Sequence, residues 1–155
     1  MNRLIETLAS AGFAGFSPWA PGTAGTVVGI LVYLLYSSFP PPVYLLSTGA
    51  LLALACWVSE RAEVLFGEKD SPKIVIDEVI GYLITMAFLP CNLATIAGGF
   101  LFFRVLDIIK PPPANWINRK MRGGWGVVLD DAVAGVYANV LLRLSAVFYP
   151  GLFLA

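Results

Sequence analysis

Two pairs of adjacent acids are the residues in this chain best suited to chemistry. Asp77-Glu78 stands at the mouth of an apolar run, Asp130-Asp131 is expected to open an apolar helix after a flexible glycine-rich approach, and Asp107 adds a further carboxylate. A helix start explains one acid, but it explains two adjacent acids less well. Carboxylates with no histidine among them favour a hard cation held by oxygens, and Mg²⁺ fits best because it takes one or two carboxylates plus water and phosphate. The two pairs are therefore predicted metal ligands.

Basic residues accompany these acids. Arg104, Asp107 and Lys110 are spaced three apart, so they share one face of a helix that should end before Pro111. The alternative is an ion pair within that helix, which is worth only about 0.2–0.5 kcal/mol. The basic group that could hold an anionic substrate, with the arginines binding in bidentate fashion, is Arg104, Lys110, Arg119 and Arg122.

A third feature is the loop SPWAPGTAGT, residues 17–26, which runs directly into an apolar segment. Small residues and free N–H groups at a helix start are suited to binding a phosphate. Ordinary helix capping with Pro and Gly punctuation explains the same residues. Both interpretations stay open on the residues alone.

The composition excludes several kinds of function. The chain has no histidine, so a Ser-His-Asp triad, an HExxH zinc site and a histidine nucleophile are all absent. Cys56 and Cys91 form no CxxC pair, and neither has an arginine six positions later, as a cysteine phosphatase needs. The formal net charge is zero, which argues against nucleic acid as a partner.

The elements that carry these residues are apolar. Of the 155 residues 58% are hydrophobic and only 13% are charged, half the usual charged share of a soluble domain, about 25%. We therefore expect an all-α, multihelical single domain over residues 1–155, with short membrane-embedded helices. The N-terminus does not resemble a signal peptide. The apolar stretches are Thr26–Phe39, Val43–Ser59, Val79–Phe103 and Ala132–Ala155.

Prolines and charges constrain how these stretches are arranged. Pro40-Pro41-Pro42 separates the first two, which predicts a tight helical hairpin. The charged segments on either side of the third stretch both resemble cytoplasmic loops. A bend at Pro90 would return the chain to the same side, so we expect two half-helices there. Arg143, in the fourth stretch, is tolerable only if it snorkels or pairs.

Acids for a metal, bases for phosphate and an apolar body for lipid tails together suggest metal-assisted chemistry on a phospholipid head group. The alternative is a small channel or carrier subunit that conducts cations along intramembrane acids. That alternative predicts acids near the middle of apolar spans, whereas the acids noted here lie at their ends.

Four segments, in this order, resemble one known family. They are GFSPWAPGTAGT, IVIDEVIGYLIT, FLFFRVLDIIKPPPANWINR and GGWGVVLDDAVAGVYA, and they cover most of the chain from about Gly15 to Ala138. The chain resembles the phosphatidylglycerophosphatase A family of bacterial lipid phosphatases. The resemblance implies an all-helical, Mg²⁺-dependent phosphomonoesterase of the cytoplasmic membrane, with its active site facing the cytoplasm and phosphatidylglycerophosphate as substrate.

The resemblance also implies roles for individual residues. The functional positions it indicates are Thr23, Asp77, Glu78, Arg104, Asp107, Lys110, Asp130 and Asp131. Arg119 stays in the phosphate-binding group with the other basic residues. Family members often carry Asp-Arg where this chain has Asn118-Arg119, so either that Asp is not a required metal ligand or this chain binds the metal differently. Asn118 can still ligate through its side-chain carbonyl, but it is kept out of the core set. The nucleophile is either a metal-activated water or an aspartate that forms a phosphoaspartate. The number of metal ions, the oligomeric state and activity on other lipid phosphates stay open.

Overall fold

The computed structural model describes residues 2–153, and every regular element in that range is helical, as predicted. The helices are α1 (Asn2–Ala9), α2 (Pro21–Tyr36), α3 (Pro41–Phe66), α4 (Ile76–Thr85), α5 (Leu93–Ile109), α6 (Ala114–Lys120), α7 (Gly124–Phe148) and α8 (Pro150–Phe153). A short 3₁₀ turn, Ala14–Phe16, precedes α2.

The bend predicted at Pro90 is confirmed. α4 ends at Thr85, and α5 begins at Leu93 behind an Asn92 capping box, so the third apolar stretch forms two helices. The ion pair between Glu78 and Arg104 joins the first turn of α4 to the later part of α5. The chain therefore does return to the level from which α4 started.

α4 and α7 form the centre of the bundle and touch backbone to backbone. A Cβ on Gly135 would lie 2.4 Å from the Gly81 carbonyl oxygen, and a Cβ on Gly81 would lie 2.9 Å from the Asp131 carbonyl oxygen. Around this crossing the largest buried side chains include Tyr82, Phe103 and Leu142. Glycine at both crossing positions lets the helices that carry the two acid pairs approach this closely.

Two expectations about the helices were wrong in detail. Asp130 and Asp131 do not open an apolar helix, because α7 already begins at Gly124. That early start is possible because Gly124 packs so tightly on α3 that a Cβ would lie 1.7 Å from the Cys56 carbonyl oxygen. The connection from α2 to α3 is short, as predicted, but the two helices do not form a tight hairpin: α2 packs mainly against α4 and α3 mainly against α7.

Arg143 pairs, as its place in an apolar stretch requires. Its guanidinium donates to the Ala87 carbonyl at 2.9 Å and to the Asn139 side chain at 2.8 Å. Asn139 in turn donates to the carbonyl oxygens of Thr85 and Ala87. These α7 side chains therefore satisfy backbone carbonyls left open where α4 ends.

Within residues 2–153, α3 is the one helix long and apolar enough to cross a membrane, judged by length and composition. α2 is apolar as well but shorter, with 16 residues. Large apolar side chains are exposed along the bundle, such as Leu31, Leu46, Leu101 and Val140. A soluble monomer rarely exposes contiguous apolar surface on this scale, which is typical of contact with lipid or another apolar partner.

Candidate active site

Three carboxylates converge where α4 and α7 begin to cross. Asp77, Glu78 and Asp131 each offer one oxygen, and these oxygens all lie within 4.8 Å of one another. Asp77 and Asp131 are buried, and the Glu78 side chain is only 12% exposed. One oxygen on each of the three residues is buried and has no hydrogen-bond partner among the described residues. Mg²⁺ prefers carboxylate oxygens as ligands, so this donor set fits Mg²⁺.

The electrostatics of this trio agree with that interpretation. Burial is the main cause that raises the pKa of Asp77 and of Asp131 well above the usual range, and the charge of a neighbouring acid raises both further. Burial also raises the pKa of Glu78 from 4.5 to about 8, even though a hydrogen bond with Asp77 and the charge of Arg104 lower it. The protein has thus placed three mutually repelling acids together without enough positive charge to neutralise them.

Two cations from the last part of α5 flank the trio. The Arg104 guanidinium lies 3.7 Å from Glu78 Oε1 and 2.5 Å from Asp107 Oδ2. Lys110 caps the end of α5 in the left-handed conformation, and its ammonium pairs with Asp130. Burial lowers the pKa of Lys110, but the charge of Asp130 more than compensates and raises it above its usual value. Lys110 therefore stays charged, and both Arg104 and Lys110 lie beside the trio.

A polar cavity of about 170 Å³ connects these groups. Its lining includes the trio, Arg104, Asp107 and Lys110. The structure thus brings together six of the site residues predicted from the sequence.

The start of α2 forms one wall of this cavity. A Cβ on Gly22 would lie 2.3 Å from Glu78 Oε1 and 3.0 Å from the Arg104 guanidinium, so a larger residue here would displace the ends of these two site side chains. No side chain caps α2, and its N-cap residue Ala20 is left-handed. The side-chain hydrogen bond that the capping interpretation requires is therefore missing at the start of α2. The N–H groups there are left available, which favours the binding of an anion.

The remaining predicted residues lie at the margin of the site. Asp130 is buried but outside the trio, and its Oδ2 is held by Lys110 and by Asn118. Thr23 is on the first turn of α2 but does not line the cavity. Arg119 is exposed on α6 and does not line the cavity either. No observation here tests the roles predicted for these residues.

The sequence interpretation missed Asp70, which lines the cavity, and left Asn118 without a role. Asp70 follows α3 in a left-handed conformation, and its carboxylate accepts a hydrogen bond from the Asn118 amide. In the sequence Asp70 is one charge in a polar loop and has no distinguishing neighbour. What marks Asp70 is its place in the cavity lining and its hydrogen bond from Asn118, and both are visible only in the structure.

Fold and site together define a class: an apolar helical protein with an unneutralised carboxylate trio, suited to a divalent cation, beside cations suited to an anionic group. The model of the phosphatidylglycerophosphatase A family matches residues 7–146, which is most of the chain. The chain belongs to this family.

Curated relatives agree with that membership. Phosphatidylglycerophosphatase A of Escherichia coli (strain K12) is 35% identical over 117 residues, covering 75% of this chain and 68% of the relative. The Haemophilus influenzae protein of the same name is 33% identical over 114 residues, or 73% and 70% of the two chains. A putative phosphatidylinositol-3-phosphatase of Bacteroides thetaiotaomicron is 35% identical over 118 residues, or 72% and 73%. No solved structure gives a significant match.

Proposed function

We propose that this chain is a Mg²⁺-dependent lipid phosphatase that converts phosphatidylglycerophosphate to phosphatidylglycerol and phosphate. Family membership and the relatives' names support a phosphatidylglycerophosphatase of phospholipid synthesis. The single observation that carries the metal part is the trio of Asp77, Glu78 and Asp131, with one unpartnered buried oxygen on each residue.

The division of labour follows from the charges. The trio would hold Mg²⁺, which when bound offsets charge on the phosphate and activates a nucleophile. Arg104 and Lys110 lie beside it and would bind the remaining phosphate oxygens, Arg104 through two parallel hydrogen bonds. The backbone at Gly22 would let a phosphate approach the start of α2 closely. Hydrolysis breaks the bond between phosphorus and the glycerol oxygen and consumes one water, whose oxygen ends on phosphorus and one of whose protons ends on the leaving glycerol oxygen.

The surface supports a membrane location with the site near the lipid head groups. All four tryptophans are at least 48% exposed, namely Trp19, Trp57, Trp116 and Trp125. Each lies in a segment at the end of the bundle that holds the site. Trp19 comes just before α2 and Trp57 lies beside the Cys56–Gly124 contact, while Trp116 is on α6 and Trp125 is in the first turn of α7. Tryptophan is enriched at membrane–water interfaces. The basic residues around the site favour its placement on the cytoplasmic face of a bacterial inner membrane.

The test is phosphate release from phosphatidylglycerophosphate in detergent micelles, with Mg²⁺ or with EDTA. We expect release only with Mg²⁺ and its loss in Asp131→Asn, while Glu68→Gln, an exposed acid outside the cavity, keeps full activity. A parallel arm with phosphatidylinositol 3-phosphate is warranted by the name of the Bacteroides relative. Folded, Mg²⁺-supplied protein that releases no phosphate from phosphatidylglycerophosphate would overturn the substrate assignment.

A further inference from the structure

The side chain of Asn118 bridges two carboxylates beside the trio. Its Nδ2 donates to Asp70 Oδ2 at 2.9 Å and to Asp130 Oδ2 at 2.9 Å. Both ends of this bridge are fixed. The Asp70 N–H donates to Glu63 at 2.8 Å, and the Asn118 carbonyl oxygen of the main chain accepts from Lys69 at 3.0 Å. The amide is therefore held in one orientation between the two acids.

That orientation determines what Asn118 can do. An amide carries two hydrogens on its nitrogen and none on its oxygen, so only the nitrogen can face two carboxylates favourably. With the nitrogen committed to Asp70 and Asp130, the side-chain oxygen is directed away from them. Asn118 is thus a hydrogen-bond donor here and not a metal ligand.

The two acids that it bridges differ from the trio in their counter-charges. Asp130 already has the ammonium of Lys110 on the same oxygen that accepts from Asn118. Its other oxygen is buried without a partner, but a cation placed there would meet the charge of Lys110. Asp77, Glu78 and Asp131, by contrast, are three acids whose one direct ion pair among the described residues is the contact of Arg104 with Glu78 at 3.7 Å.

We infer that the site holds one divalent cation, on the trio, and that Asn118 occupies with its amide hydrogens the place a second cation would take between Asp70 and Asp130. Asn118 is then a positioning residue: its hydrogen bond orients Asp130, which in turn holds Lys110 toward the phosphate. This inference rests on the proposed Mg²⁺ site, and it concerns how many ions that site binds rather than which lipid it cleaves.

The experiment counts bound Mn²⁺, used in place of Mg²⁺, on the purified full chain in detergent by equilibrium dialysis and metal analysis. We expect one ion per chain in the wild type and none in Asp131→Asn. Asn118→Asp creates a third acid beside Asp70 and Asp130, and it should raise the count to two. Asn115→Asp places the same charge on the same helix without contacting these acids, and it should stay at one.

A second readout follows the same variants without metal. Asn118→Asp should lower the melting temperature in EDTA. Adding Mn²⁺ should then raise the melting temperature of this variant by more than it raises that of the wild type. Asn115→Asp should match the wild type both in EDTA and in its response to Mn²⁺. Asp70→Asn, a mild change, should keep one ion, because Asp70 is not a ligand in this arrangement. At a two-ion site it would reduce the count from two to one.

The outcomes separate this inference from the proposed activity. Two ions in the wild type, or one ion in folded Asn118→Asp, would overturn the inference and leave the phosphatase proposal standing. One ion in the wild type and two in Asn118→Asp, without phosphate release, would support the inference and overturn the proposed substrate. No ion in the wild type would overturn both the inference and the metal part of the proposed function.

Discussion

Glu78→Gln offers a test in which stability and activity should change in opposite directions. The substitution keeps the shape of the side chain and removes one negative charge from the trio. Without metal, that charge is repelled by its neighbours and poorly solvated, because the Glu78 side chain is only 12% exposed. With metal, the same carboxylate is a proposed ligand. The variant should therefore be more stable than the wild type in EDTA and much less active in Mg²⁺.

The size of the stability gain follows from the titration of Glu78. Its pKa lies at about 8 instead of 4.5, and a tenfold change in a proton-binding constant corresponds to about 1.4 kcal/mol. At pH 7 the raised pKa of Glu78 lowers the free energy of unfolding of the metal-free wild type by about 3 kcal/mol. This figure is an upper bound because the acids of the trio share protons. For a chain of this size the melting temperature should rise by up to about 6–12 °C. Activity should fall at least ~10²-fold, the scale for loss of one preorganised electrostatic contact.

The assay is a melting curve in detergent with EDTA, paired with phosphate release in Mg²⁺ at the same pH. Glu68→Gln makes the same chemical change at an exposed position and should move neither quantity. A Glu78→Gln protein that melts at a lower temperature than the wild type in EDTA would show that the trio is not under mutual repulsion. A variant that keeps Mg²⁺-dependent activity would remove Glu78 from the ligand set.

Three further outcomes follow from the same site. Gly135→Ala should lower stability by about 1–3 kcal/mol and reduce phosphate release, because its Cβ would lie 2.4 Å from the Gly81 carbonyl oxygen. Gly49→Ala has open space around the new Cβ, so melting and activity assays should show unchanged stability and unchanged phosphate release. Lys110→Gln should leave buried Asp130 without its cation, so we expect a destabilisation of about 3 kcal/mol, the low end for a broken buried pair because the Lys110 side chain is 30% exposed, and weaker substrate binding, read as a raised KM. In metal-free protein the contribution of Glu78 to stability should be full below about pH 4.5 and should be lost as the pH rises to about 8, because a raised folded-state pKa favours the protonated form; melting curves across this range should show the loss, and saturating Mg²⁺ should suppress it.

The break of the third apolar stretch and the position of the first acid pair could be predicted because local chemistry determines them. Pro90 cannot sit inside a continuous helix, and Asp77-Glu78 does stand in the first turn of α4. The start of α7 could not be predicted in this way. Gly123 and Gly124 indicate a flexible approach, but α3 packs against them and extends the helix to a point before Asp130. Tertiary contact there overrides the low helix propensity of glycine.

The split between the two aspartates of the second pair was also beyond the sequence. Asp130 and Asp131 are adjacent and chemically identical, so the pattern assigns both the same role. On a helix, neighbouring residues point about 100° apart. Asp131 therefore faces Asp77 and Glu78, while Asp130 faces Lys110 and Asn118. Which of them meets which neighbour depends on the rotation of α7 about its axis, and that rotation is set by the Gly81–Gly135 crossing.

The position of the charges within the bundle also weighs against cation conduction. A conducting path needs polar groups through the apolar body, but the site residues cluster where α2 and α4 begin and α5 ends. Beyond this end, the described core is filled by Tyr33, Tyr82 and Phe103, all at most 2% exposed. At the far end, Tyr44 packs within 6 Å of the rings of Tyr36 and Phe88. A cation that reached the carboxylate trio would find apolar side chains and aromatic rings ahead of it, so the geometry is that of a site that opens toward one face and is closed behind.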